Sequence, residues 1–286
     1  MHAVDASARR RALLELHLGA VLLGGSALLP RFVPLPVGQL VLLRSLIAAL
    51  LLFALALAAR EPLRPRSRGD AGWLLLCAVL LGLHWLTYFR TIQLSTVALG
   101  SVCFYTFPVI TVFLEPLFGR TRLRAGDAVA AALALAGVVL VARPGAGAAA
   151  GVVAVGLSCA VFIALRNVLY RHHLPDYPPV GMTAWQFLIV GVLLLPAFDS
   201  GALAGAPEWG WKMLVFGVFF TAAPHLLFVR ALRSVPAKSL GLVTSLTPLY
   251  ATLFAWLAFR EVAGWSVLAG GALIVGAAAY ESLRPA

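Results

Sequence analysis

Two stretches of this sequence decide its fold: SVCFYTFPVITVFLEPLF at 101–118 and SLGLVTSLTPLYATLFAWLAF at 239–259. Each is apolar enough to cross a bilayer, and each is interrupted by a proline. Pro108 and Pro248 lie 140 positions apart, and Arg90 and Arg230 mark the same interval. A proline inside a membrane helix removes one backbone donor and displaces the carbonyl four residues earlier. Such a break is tolerated only where protein or a wet cavity satisfies the freed groups. Matched breaks in two copies of a membrane unit point to a binding site at the bilayer midplane between them.

Composition supports a membrane chain. Of 286 residues, 62% are hydrophobic and 12% charged, with a mean hydropathy of +0.95, whereas a soluble domain is about half apolar and about a quarter charged. The excess of basic residues, +11 overall, sits in short loops between apolar blocks, where it sets topology and gives no reason to expect nucleic acid. Cys77, Cys103 and Cys159 are an odd set within the blocks and lack CxxC spacing, as expected for small buried hydrophobes. The basic, apolar N-terminus resembles a signal peptide, but Pro30 and Arg31 followed by another full span favour a retained first helix.

Breaks at Pro, Gly and Arg clusters predict ten spans: 13–29, 37–59, 71–92, 97–118, 125–142, 149–170, 179–198, 211–232, 239–259 and 264–282. With the N-terminus inside, sixteen basic residues, Arg166 among them, fall on the cytoplasmic side and five on the other, with Arg44 inside a span. This bias puts both termini in the cytoplasm. Sliding the chain on itself lays YFRTIQLSTVALGSVCFYTFPVI over LFVRALRSVPAKSLGLVTSLTPLY, and the match continues to Gly137 over Gly276. Each copy holds five spans, an odd number, so the second enters from the opposite side. The expectation is an all-α integral membrane protein, an inverted repeat of five-helix halves, 1–147 and 148–286, around a central cavity. The join falls in RPGAGAAAG at 143–151. Small residues such as Gly24, Gly25 and the run after Leu268 are architectural, letting helices approach closely.

This arrangement resembles the drug/metabolite transporter superfamily in its ten-helix EamA-type branch. The likeness rests on the duplication, Arg44 in the second span, prolines in the fourth and ninth, FREV at 259–262 and the Gly-rich run ending each half. One departure is that Glu261 aligns with Thr121, so an acidic residue expected in both halves is present in one. The resemblance implies movement of a small organic solute through a central cavity opened alternately to each side, and favours export across a bacterial-type inner membrane.

Several residues are candidates for solute contact. His84, Thr87, Tyr88 and Thr91 recur at i, i+3, i+4 and i+7, a polar stripe on one helix face. It either lines a cavity or bonds neighbouring helices. Thr221 and His225 form a similar pair in the second copy, beside Pro224. Either histidine can couple transport to protons, or sit neutral on a backbone carbonyl. Tyr105, Thr106 and Thr111 flank Pro108; Thr244, Ser245, Thr247 and Tyr250 flank Pro248. Trp185 and Gln186 offer an aromatic wall and an amide. Trp73, Trp209, Trp211 and Trp265 fall at span ends, as interfacial anchors do. Arg44 lies about 10 Å inside its span at helical rise with no acid at its depth, which leaves a substrate carboxylate or phosphate, or helix-end carbonyls, as partners. His172, His173 and Asp176 fall in a loop without a further ligand set, as a solvated cluster would.

The expected activity is a secondary carrier or facilitator for an amino acid or an amphipathic or cationic solute, needing no cofactor or metal, in a monomer or homodimer within the lipid bilayer. There is no GxxxxGK[ST] loop for an ATP motor. The alternative is a membrane-embedded enzyme acting on a lipid or lipid-linked substrate, for which clustered acids or a nucleophile with its base would be required. A channel would want a more continuous polar pore.

Overall fold

The structure, a computed structural model, describes residues 6–118, 125–141, 149–231 and 243–283. The chain is helical, with no strand among the described residues. The principal helices are α1 (Ala6–Ser26), α2 (Val37–Ala58), α3 (Arg68–Leu94), α4 (Val97–Phe104), α5 (Phe107–Phe118), α6 (Ala125–Val141), α7 (Ala150–His173), α8 (Pro179–Leu193), α9 (Ala206–Gly217), α10 (Ala223–Ala231), α11 (Thr247–Phe259) and α12 (Trp265–Leu283). Among the described residues, five stretches are long and apolar enough to cross a membrane: α2, α3, α7, Val97–Phe118 and Ala206–Ala231. Their outer faces carry exposed Leu50, Leu57, Leu117 and Leu214, apolar surface suited to lipid.

Helix ends are set by local chemistry. Ser67 caps α3 by accepting from the Asp70 amide at 3.0 Å, and Thr96 caps α4 through the Leu99 amide at the same distance, each satisfying a donor that no helical carbonyl reaches. The helix expected over 179–198 is shorter, because α8 stops at Leu193 and Pro196 lies in a 3-10 turn, Leu195–Ala197. The one expected over 211–232 begins earlier, at Ala206. Trp209 is accordingly buried inside it, whereas Trp211 and Trp265 are exposed.

The two proline breaks keep their 140-residue register but fall ahead of the prolines. Tyr105 and Thr106 form a turn between α4 and α5, and Ser245 and Leu246 form one before α11. Pro108 and Pro248 are each the second residue of the resumed helix, where an amide has no helical partner to lose. Both turns are closed by tighter i to i−3 bonds, Thr106 N to Cys103 O at 3.3 Å and Leu246 N to Val243 O at 3.1 Å. Pro224 has a similar upstream effect: residues 218–222 form a π turn, and the Thr221 hydroxyl donates to the Phe216 carbonyl five residues back at 2.8 Å. A π turn absorbs one extra residue into a helix and bends it.

The helices pair across the two copies. α2 packs along α8, α6 along α12, and α4 against α11, while α3 packs on α7 and α1 on α10. The α6–α12 contact is backbone to backbone: a Cβ on Gly137 would come 2.7 Å from the Gly270 carbonyl, and one on Gly270 would come 2.6 Å from that of Gly137. Gly276, the aligned partner of Gly137, meets nothing within 4 Å. The largest apolar cluster lies where α2, α3, α8 and the π turn converge, and a charged residue stands in its middle.

Candidate substrate site

That residue is Arg44. It is 2% exposed, the bulkiest of the fully buried side chains. Its guanidinium lies over the rings of Trp85 at 4.6 Å and Phe89 at 4.9 Å, both from α3. Among the described residues it has no carboxylate partner, and its Nε has no hydrogen-bond acceptor. Placing an arginine at mid-helix in a bilayer costs about 2.5–3.5 kcal/mol on insertion scales. Two ring contacts at about 0.5–2 kcal/mol each offset much of that. The rings accept no directional hydrogen bond, so Nε–H still carries the roughly 1–3 kcal/mol of an unsatisfied buried donor.

A second arginine serves the same region. Arg166, counted by the sequence among the cytoplasmic-side charges, lies near the end of α7 and donates to Gln186 Oε1 from Nε at 2.9 Å and from a terminal nitrogen at 2.7 Å. It also meets Asn167 Oδ1 at 3.0 Å and the Tyr170 ring at 4.9 Å. Guanidinium has donors alone, so the Gln186 amide must turn its oxygen toward Arg166. That leaves Gln186 Nε2, fully buried, without an acceptor. Of the four buried side-chain atoms without a partner among the described residues, the two in this cluster, Arg44 Nε and Gln186 Nε2, are both donors; Gln39 Oε1 and Thr247 Oγ1 are the others.

The histidines sit beside these groups. His84 Nδ1 is 2.9 Å from the Cys159 carbonyl, and His225 Nδ1 is 2.7 Å from that of Thr221. A carbonyl only accepts, so Nδ1 carries the proton in both rings and Nε2 is the acceptor of the neutral form. Arg44 and Arg166 are the charged residues within electrostatic reach of both rings. Phe187 joins the parts, edge-on to Trp85 at 4.9 Å and to His225 at 5.1 Å. The Tyr88 and Ser101 hydroxyls share a 3.2 Å bond, and Phe104, the last residue before the first break, tilts against both His84 and Tyr88. Thr87 and Thr91 instead bond carbonyls one turn back in α3.

The remaining candidates lie apart. Trp185 donates to the Leu63 carbonyl at 2.7 Å and packs edge-on against Phe53, turned toward the loop after α2. Tyr105 is buried at the first break, its ring against Phe104 and Phe107. Half-buried Pro108 follows it in the first turn of α5. Tyr250 packs on α1, its Cβ 2.8 Å from where a Cβ on Gly24 would stand. Thr244 precedes the second break, and Pro248 lines a lateral groove of about 660 Å³ between α4, α11 and α12 with Val102, Leu253 and Gly271. His173 stacks on Trp73 at 3.6 Å. Thr121 lies outside the described residues.

The pattern of the EamA-like transporter family matches residues 11–143 and, a second time, residues 150–281. The chain belongs to that family of membrane transporters. The uncharacterized transporter YojE of Bacillus subtilis strain 168 is 27% identical over 192 residues, 66% of this chain and 62% of its own length. The uncharacterized transporter YxxF of the same organism is 23% identical over 251 residues, 86% of this chain and 81% of its own. An uncharacterized transporter of Archaeoglobus fulgidus is 28% identical over 189 residues, 66% of this chain and 68% of its own. One crystal structure superposes with a TM-score of 0.63 over 96% of both chains at 20% identity, a likeness of fold.

Within this EamA-like transporter, the candidates that converge are Arg44, His84, Tyr88, Gln186 and His225. Arg166, Phe187, Phe104 and Ser101 join them without having been singled out. Arg166 carried the signal of a topology charge alone, a basic residue near the end of a span. The aromatics carried none, since phenylalanine is common throughout the spans.

Proposed function

We propose that the protein is a secondary transporter that exports a small organic metabolite across an inner membrane by alternating access. The moving parts are two inverted five-helix halves, residues 1–147 and 148–286, with both termini cytoplasmic. The observation that carries this reading is the pair of helix breaks at 105–106 and 245–246, in one register with the family's duplication. The packing scheme supports it further. Exchanging first-half helices for their second-half counterparts turns the α3–α7 contact into the α10–α1 contact and leaves α2–α8, α4–α11 and α6–α12 paired as they are, as expected of two copies related by a two-fold axis.

The solute site is the convergence around Arg44, His84, Tyr88, Gln186 and His225 between α2, α3, α8 and α10, the first four buried and His225 half-buried in this conformation. An enzyme working on lipid head groups is the rival. It is disfavoured by the placement of Glu15, Glu115 and Glu261, each engaged by an arginine away from this cluster. The test is counterflow in proteoliposomes. Saturable, trans-stimulated uptake is expected, and His84→Ala or Tyr88→Ala should lower it at least about tenfold per molecule while membrane abundance holds, the loss due to one charge-assisted or buried hydrogen bond. Product formation without net flux would overturn the carrier reading; parental flux in both variants would overturn this site.

A further inference from the structure

We propose that the central site takes organic anions: a carboxylate or a phosphate monoester bound by Arg44 and the Gln186 amide, on an apolar or aromatic body held among Trp85, Phe89 and Phe187. The proposal rests on the transporter reading above and names the substrate class of that same site.

Three observations converge on it. First, the charge of the site has one sign. Arg44 and Arg166 are the charged groups facing His84 and His225, and the described ion pairs of the chain join other arginines to Glu15, Glu115 and Glu261. Second, the unsatisfied polar atoms at the site, Arg44 Nε and Gln186 Nε2, are both donors. A cation brings further donors and leaves both as they are, whereas an oxyanion accepts from both. Third, Arg166 fixes which end of the Gln186 amide is free. Its two bonds to Oε1 hold Nε2 turned away from the guanidinium, so the arginine orients a neutral donor as well as adding charge.

The walls select the rest of the molecule. Arg44 stacks on Trp85, Trp85 meets Phe187, and Phe187 meets His225, a run of faces that favours a planar or aliphatic body beside the charged group. A small inorganic anion would satisfy the donors without engaging these rings. Purely cationic solutes would meet two guanidinium groups across a low-dielectric site, where like charges repel strongly.

Thermal unfolding of the purified protein decides between the classes with four probes at matched ionic strength: phenylacetate, phenyl phosphate, phenylacetamide and benzyltrimethylammonium. At least one anion is expected to raise the unfolding temperature in a saturable way while the amide and the ammonium do not. The better of the two anions identifies the head group. Arg166→Gln and Arg44→Gln should each weaken the apparent affinity at least about tenfold; Arg44→Lys, which keeps charge and loses the fork, should fall between. Should Arg44→Gln fail to purify, Arg166→Gln and Arg44→Lys carry the comparison. Equal stabilisation by the amide or the ammonium, no stabilisation by either anion, or an anion effect untouched in the arginine variants overturns the proposal. Counterflow separates it from the carrier reading: anion binding without flux keeps the site and sinks the carrier, and saturable flux of the ammonium alone does the reverse.

Discussion

Helices α2 and α11 end in the same way on different business. Arg60 and Arg260 both adopt a left-handed φ of 54°, and the next amide bonds back into its helix, Glu61 N to Ala56 O at 2.9 Å and Glu261 N to Ala255 O at 3.4 Å. Each glutamate then reaches into the other half. Glu61 accepts from the Gly181 amide at 3.0 Å in the first turn of α8. Glu261 accepts from the Val97 amide at 2.7 Å and the Ala98 amide at 3.4 Å in the first turn of α4. Both place a carboxylate on the positive end of a helix. The difference is Arg31, which bonds Glu261 at 3.2 Å and the Ser95 carbonyl at 2.8 Å, tying three segments at one corner. At the other, Trp185 and the Leu63 carbonyl supply the extra tie. The corners share a backbone design, and what varies is whether charge or an indole fastens it.

The largest effect should come from Glu261→Ala, which strips two helix-end amides and an ion pair; a loss of about 2–4 kcal/mol is expected, read as a fall in unfolding temperature of the purified protein. Glu61→Ala removes one amide acceptor and should lose about 1–2 kcal/mol. If the two losses are equal, the corners do not differ in the way their contacts suggest. Arg31→Ala tests the ion pair by itself. Its side chain is 37% exposed, so no more than about 1 kcal/mol is expected, and a loss as large as that of Glu261→Ala would mean the pair outweighs the cap. The smallest effect has the opposite sign: Arg60→Gly relieves a left-handed backbone and should gain about 0.5–1 kcal/mol.

Features governed by neighbouring residues were the legible ones. The breaks followed from proline chemistry, which acts within four residues, and the error was a displacement of two or three positions because proline settles into the first turn of the helix after a break. Arg44 was legible as a misfit, a charge too deep in its span for a nearby acid. Arg166 was not, because a basic residue near a span end signals topology as readily as a buried bond, and the acceptor on Gln186 belongs to another helix. FREV was visible at 259–262, yet nothing local ties Glu261 to Val97. At the other corner Arg60 registered as a charge, while its left-handed turn and the reach of Glu61 are products of tertiary packing. The polar stripe of α3 divided: His84 and Tyr88 turn to other helices, and Thr87 and Thr91 back-bond their own.

The corners also have a consequence for the order in which the molecule is made. The carboxylate that covers the Val97 and Ala98 amides belongs to a residue synthesised 164 positions later, and Glu61 waits 120 positions for the Gly181 amide. A ribosome that has just released the first copy of the repeat has therefore delivered helix starts and ends whose counterparts are still to be polymerised. Each copy closes the other's loose ends, so the first is not a finished object when it leaves the insertion machinery.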